Sequence, residues 1–178
     1  MDPTLIYPAL AIATREGDAA LYDAIQKRAQ SATSPEDSFR YMQALTNFRT
    51  PELVQRTVEY ALSPQVRSQD APYIIGGLMN NAHNRGQAWD FIRQHWAQVE
   101  AKLTNFSTGT VVDGAGNFCD ATHQQQVQEF FTQHPIPSAQ RTLQQSLEFI
   151  GDCVDLKTQQ GPSLASWLQQ QEGGREAQ

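Results

Sequence analysis

Residues 18–63 read DAALYDAIQKRAQSATSPEDSFRYMQALTNFRTPELVQRTVEYALS, and this stretch decides the fold class. Asp18, Ser34 and Thr50 each stand sixteen positions after the last. All three side chains can accept a hydrogen bond from the unpaired N–H groups that open a helix. Pro35 and Pro51 follow two of them directly, at the first helical position, where a missing N–H costs nothing. Behind each cap the apolar residues recur at three- and four-residue spacing: Leu21, Tyr22, Ile25 and Ala29; then Tyr41, Ala44, Leu45 and Phe48; then Val54, Val58, Ala61 and Leu62. Ser63-Pro64 stops the third run. The links between these segments are too short for anything but antiparallel neighbours.

The same grammar extends in both directions. Asp70, with Pro72 in the first turn, opens a segment bearing Ile74, Ile75, Leu78, Met79 and Ala82. Gly76-Gly77 inside it costs about 1 kcal/mol of helix propensity per glycine but permits close packing against a neighbour. Asn84-Arg85-Gly86 reads as a turn, and Trp89, Ile92, Trp96, Val99 and Leu103 as one helix of some four turns. Thr122 to Gln125 has the form of a capping box ahead of Val127, Phe130 and Phe131, with Pro135 as the stop. Ser138 caps the longest helix, carrying Leu143, Leu147, Ile150 and Val154, and Gly161-Pro162 opens a short final one with Leu164, Trp167 and Leu168. Residues 104–120, rich in Gly, Thr and Asn, read as a loop with one helical turn near Val111. No β-alternation occurs. The expectation is an all-α, right-handed superhelix of antiparallel helix pairs, a HEAT- or armadillo-like α-α solenoid of about nine to ten helices. It forms a single domain over 1–178, ordered over about 4–169, with a frayed tail at 170–178.

Composition narrows the function. The chain carries 39% apolar residues, enough to rule out global disorder, and a net charge of −6 with its thirteen basic residues scattered. A phosphate-binding surface needs clustered Lys and Arg, so nucleic acid is not an expected partner, and neither is an anionic membrane surface. The longest apolar run, Tyr73 to Met79, is far below the ~20 residues that cross a bilayer. Met1-Asp2-Pro3-Thr4 runs straight into an amphipathic segment whose Leu5, Ile6, Leu10 and Ile12 are apolar on more than one side. That start reads as a cut inside a longer protein, which leaves the compartment of the parent open.

Catalytic chemistry finds no foothold. His83, His95, His123 and His134 include no H-E-x-x-H pair, and Cys119, His123 and His134 lack a fourth ligand for zinc. Cys119 and Cys153 read as buried inert thiols, with a single bridge between them as the alternative. Residues 113–117 are glycine-rich without the lysine of a phosphate loop, and no G-x-S-x-G elbow occurs. Carboxylate pairs such as Glu16/Asp18 and Glu36/Asp37 sit at helix ends, where the dipole explains them. The aromatic set Trp89, Phe91, Trp96 and Phe106 reads as core.

One segment has a specific likeness. Arg67-Ser68-Gln69-Asp70-Ala71-Pro72-Tyr73, then Asn80-Asn81, then Gly86-Gln87-Ala88-Trp89-Asp90-Phe91-Ile92 and Trp96 resemble the C-terminal helical domain of zinc aminopeptidases of the aminopeptidase N family, the group of the endoplasmic-reticulum and puromycin-sensitive aminopeptidases. The turn here reads Arg85-Gly86, the reverse of the family's order. Ala44-Leu45 through Leu53, Glu59 to Ser63, Phe118-Cys119-Asp120 with Val127 to Phe131, and Leu164 to Leu168 extend the likeness over roughly Tyr7 to Leu168. Residues 107–117 resemble a short helix of the relatives but are poor in helix formers.

The resemblance implies a non-catalytic domain that caps a separate thermolysin-like domain, encloses its cavity and limits peptide access. Zinc, the H-E-x-x-H helix and the G-x-M-E-N loop belong to that other domain, so no catalytic or metal-binding residue falls in this chain. The implied partners are the catalytic domain of the same parent chain and the peptide substrate. Arg40, Arg56, Arg85 and Arg141 are the candidate substrate contacts, against the plainer reading of solvated arginines or helix-surface ion pairs. Two other classes compete: a stand-alone helical-repeat scaffold binding a protein or peptide on its concave face, and an independent hydrolase.

Overall fold

The computed structural model describes residues 3–103 and 107–175, and every regular element among them is helical. Helices α1 (Pro3–Arg15), α2 (Ala19–Ser31), α3 (Pro35–Leu45) and α4 (Pro51–Leu62) are followed by α5 (Ala71–Asn80), α6 (Arg85–Gln94) and α7 (Trp96–Lys102). Next come α8 (Thr108–Ala115) and α9 (Ala121–Gln133), a single 3-10 turn (Pro137–Ala139), and α10 (Gln140–Arg175). Packing sorts them into two layers. One holds α1, α3, α5, α8 and α10, each touching the next; the other holds α2, α4, α6 with α7, and α9. Each member of the second layer lies against its neighbours in the first, with α2 on α3, α4 and α6 on α5, and α9 on α10.

The caps behave as their chemistry requires, with instructive exceptions. Asp18 accepts from the Leu21 N–H at 2.9 Å and Ser34 from the Asp37 N–H at 3.1 Å. Thr50 holds the extended cap conformation without a side-chain bond. Asp70 spends its buried carboxylate on the Arg67 Nε at 2.6 Å, so it locks the turn before α5. At α9 the cap is Asp120, not the Thr122 box: its Oδ1 accepts from the His123 N–H at 2.9 Å and its Oδ2 pairs with the His123 ring at 2.7 Å. Burial pushes the Asp120 carboxyl up, but the two His123 hydrogen bonds with the charges of His123 and Lys157 outweigh it, and the pKa ends below its ordinary value.

Four further expectations are corrected. Asn84-Arg85-Gly86 is not a free turn but the cap and first turn of α6. The Trp89–Leu103 segment is two helices, broken at His95, whose N–H goes to the Phe91 carbonyl and whose ring stacks on Phe91 at 4.0 Å. Both halves still aim Trp89, Ile92, Trp96 and Val99 into the core, where Trp89 and Trp96 meet Phe130 at 5.3 and 5.2 Å. Phe91 is only half-buried, and Phe106 lies outside the described residues. Residues 108–115 form α8 in place of the expected loop; the 104–106 part of that stretch is outside the described residues. Val111, Val112 and Ala115 are buried, at about 1.5–3 kcal/mol for a large apolar side chain, which overrides weak propensity. Finally, Gly161-Pro162 starts no new helix: α10 runs unbroken through Pro162 to Arg175.

The two cysteines are not thiols. Cys119, just before α9, and Cys153, on α10, form a disulfide with their Cα atoms 5.2 Å apart. Both are half-buried, at the place where the last helix leaves the body. A bridge across 34 residues removes unfolded-state entropy equivalent to about 3–4 kcal/mol. Reduction of the folded domain should therefore lower its melting temperature by roughly 10 °C in calorimetry.

A second set of ties uses backbone carbonyls. Buried Asn84 donates through Nδ2 to the carbonyls of Thr46 at 2.9 Å and Phe48 at 2.8 Å, holding the α3–α4 link against the end of α5. Asn81, half-buried, adds one bond to Thr46 at 3.2 Å. Replacing Asn84 by Ala takes the donor from the Phe48 carbonyl and leaves Thr46 with the longer Asn81 bond alone, and should cost about 2–3 kcal/mol in urea unfolding; Asn81→Ala should cost about 1 kcal/mol or less.

Candidate functional site

Helices α1, α3, α5 and α8 share one face, and a groove runs along it. Tyr7, Glu36, Phe39, Arg40, Gln43, Tyr73, Gly76, Asn80 and Thr110 line a volume of about 530 Å³. A second volume, about 510 Å³, continues it past Tyr7, Gln43 and Asn80 to Arg15, Arg49 and His83. The first half is largely apolar, with Phe39 and Tyr73 edge to face at 5.5 Å. The second is polar and carries two arginines. Such a mixed trough, apolar at one end and polar at the other, where Arg49 already pairs with Glu16 at 3.4 Å, suits an extended chain with an apolar side chain and a polar group.

The floor depends on glycine. A methyl group on Gly76 would stand 2.9 Å from Thr110 Cγ2 of α8, and one on Gly77 2.9 Å from Thr46 Cγ2 beside α3. Helix α5 is therefore approached closely on both flanks, as the Gly76-Gly77 pair suggests. Gly114 does the same from α8, where a methyl would meet Met79 Cβ at 2.7 Å.

The four sequence-derived arginines are not gathered in one place. Arg40 lines the groove and pairs with Asp37 at 2.7 Å and Glu36 at 3.7 Å. Arg56 borders a different hollow with Gln26, Glu59 and Tyr60, pairs with Asp23 at 2.7 Å and lies over the Tyr22 ring at 4.3 Å. Arg85 points inward. Its Nε donates to the Met79 carbonyl at 2.8 Å, another nitrogen to the Asn117 carbonyl, and its guanidinium lies 5.8 Å from the Phe118 ring centre. Burial pulls its pKa below the usual guanidinium value. Arg141 is exposed on α10. Tyr7, Arg15, Arg49 and Tyr73 escaped sequence reasoning; their only signal is that Tyr7 and Tyr73 stand off the apolar stripes of their helices.

Among the described residues no three His, Cys, Asp or Glu side chains are placed to hold a metal ion. Cys119, one of the zinc candidates weighed on sequence, has its sulfur in the disulfide. No helix among the described residues is long and apolar enough to cross a membrane.

Comparison with known proteins gives a consistent set of relatives. Residues 1–151 match the family described as ERAP1-like C-terminal domain. Aminopeptidase M1-B of Oryza sativa subsp. japonica is 28% identical over 133 residues, 71% of this chain and 14% of the relative. Aminopeptidase M1 of Arabidopsis thaliana is 26% identical over 148 residues, 80% of this chain and 16% of its own. The alanine/arginine aminopeptidase of Saccharomyces cerevisiae is 24% identical over 156 residues, 85% of this chain and 18% of its own. The chain thus spans less than a fifth of each of these relatives.

The glycine floor can be tested directly. Gly77→Ala adds about 1 kcal/mol of helix propensity but overpacks Thr46, and should lower stability by a net of about 1–2 kcal/mol. Gly86→Ala, with nothing within 4 Å, should be neutral or stabilising by up to about 1 kcal/mol in the same unfolding assay.

Proposed function

Because the chain belongs to the ERAP1-like C-terminal domain family, we propose that it is the non-catalytic wall of a zinc aminopeptidase, turned with its α1–α3–α5–α8 face toward the substrate cavity of the parent enzyme. In this reading the domain closes the cavity behind a catalytic domain of the same chain and limits which peptides fit inside. The zinc and the acid–base chemistry reside in that other domain. The parent removes residues from peptide N-termini, and the far part of a long peptide reaches the groove.

One observation carries the reading: a match over residues 1–151 combined with a continuous trough of mixed polarity on a single face. Of the four arginines proposed as peptide contacts, Arg40 ranks first because it borders the trough, while Arg56, Arg85 and Arg141 face other parts of the molecule. Arg15 and Arg49 join it at the polar end, and Phe39 with Tyr73 offers an apolar platform.

The reading frame ahead of this segment should encode an H-E-x-x-H helix and a downstream glutamate ligand. In the full enzyme, Tyr73→Ala and Arg40→Ala should lower kcat/KM for peptides of about nine or more residues by roughly 3–10-fold, equivalent to about 0.7–1.4 kcal/mol. Hydrolysis of an aminoacyl nitroanilide, too short to reach the groove, should stay unchanged. Equal losses on both substrates, or none on either, would refute the placement of this face.

A further inference from the structure

The chain has two cysteines, both lie in the Cys119–Cys153 bridge, and neither is sealed in the core. Cys119 directly precedes Asp120, the cap of α9. Cys153 stands one residue before Val154, where α10 last packs on the core, and residues 155–160 are all exposed. The bridge thus sits at the point where the last helix leaves the body. Contacts on its inner side set α10 against α9 without it. Gln124 Nε2 donates to the Leu147 carbonyl at 2.9 Å, and a methyl on Gly151 would stand 3.1 Å from the same nitrogen. Ile150 is fully buried, and the buried Ser146 hydroxyl donates to the Val112 carbonyl of α8 at 3.0 Å. On the outer side the tie is slight: exposed Lys157 lends its charge to Asp120, a pairing that water and salt screen.

We propose that this pair is a thiol–disulfide exchange site, closed by a disulfide oxidant after the domain has folded, and that the parent enzyme carries it closed in an oxidising compartment. The inner contacts make Cys119 and Cys153 neighbours before their sulfurs join, so closure needs no rearrangement. One protein thiolate attacks the oxidant's disulfide, joins one of its sulfurs and releases the other. The second protein thiolate then attacks the protein's own sulfur in that mixed disulfide and releases the remaining oxidant sulfur. The pair loses two electrons and two protons, and the oxidant ends as a dithiol carrying both. A dithiol reverses the exchange. Where glutathione and thioredoxin keep thiols reduced, a half-buried pair of this kind stays open, so a closed bridge marks a protein that works outside that environment. Opening removes the covalent hold on the exit turn. Ile150 and the Gln124 bond keep the earlier turns of α10 in place, while the turn around Cys153 frays.

The parent enzyme, taken from cells with its thiols trapped at once by N-ethylmaleimide, should yield the peptides holding Cys119 and Cys153 linked and unlabelled. Dithiothreitol should open the bridge in the folded enzyme. Circular dichroism should then stay unchanged, while amide hydrogen exchange over residues 151–158 speeds by about tenfold and that of residues 74–79 does not move. Oxidised glutathione should restore the slow exchange. Cys153→Ser should exchange fast from the start and respond to neither reagent; if that variant does not fold, opening and reclosing the bridge in the unsubstituted enzyme decides the matter alone. Maleimide on both cysteines of the enzyme as taken from cells would overturn the proposal. So would a bridge that dithiothreitol opens only once the enzyme unfolds, or equal exchange over residues 151–158 with the bridge open and closed.

Discussion

Helix α5 must be approached by α3 on one side and α8 on the other, and the glycines on these helices make that distance possible. With a methyl at Gly76, Gly77 or Gly114 the neighbouring side chains would stand under 3 Å away. The surrounding core is then filled by Ile74, Ile75, Leu78 and Met79, all fully buried, which explains how a ten-residue helix with two glycines persists at all. Its stability is tertiary, taken from burial on almost every side. The groove on the α1–α3–α5–α8 face follows from the same geometry, since Gly76 and Gly77 form part of its floor.

The residues that carry the family likeness turn out to hold backbone in place. Arg67 and Asp70 lock the turn into α5. Asn81 and Asn84 hold the Thr46–Phe48 link, and Arg85 ties the carbonyls of Met79 and Asn117. Trp89 and Trp96 anchor α9 through Phe130 and Phe131. A buried carbonyl left without its donor costs about 1–3 kcal/mol, so the Asn84 and Arg85 ties weigh on stability. They make the domain recognisable through its framework.

The late part of the chain follows a different rule. Up to Val154, α10 is a member of the array, held by the Ser146 hydroxyl on the Val112 carbonyl, by Gln124 on the Leu147 carbonyl, and by the disulfide. Past that point every residue to Gln171 but Gly161 is exposed, Leu156, Leu164 and Trp167 among them.

The helical class, the caps at Asp18 and Ser34, the core stripes and the likeness to a known family could all be read along the chain, because they depend on contacts three or four residues apart and on residue types with one dominant use. Other features escaped that reading. Residues 108–115 look like a loop to propensity, yet burial of Val111 and Val112 makes them a helix. Pro162 looks like a boundary, yet α10 passes through it. Cys119 and Cys153 could be thiols or a bridge until the α9 turn is set beside α10. Which arginine meets the groove depends on how distant helices are rotated against one another. Sequence specifies local periodicity; only packing across more than thirty residues decides which faces meet, because those contacts leave no period of their own in the chain.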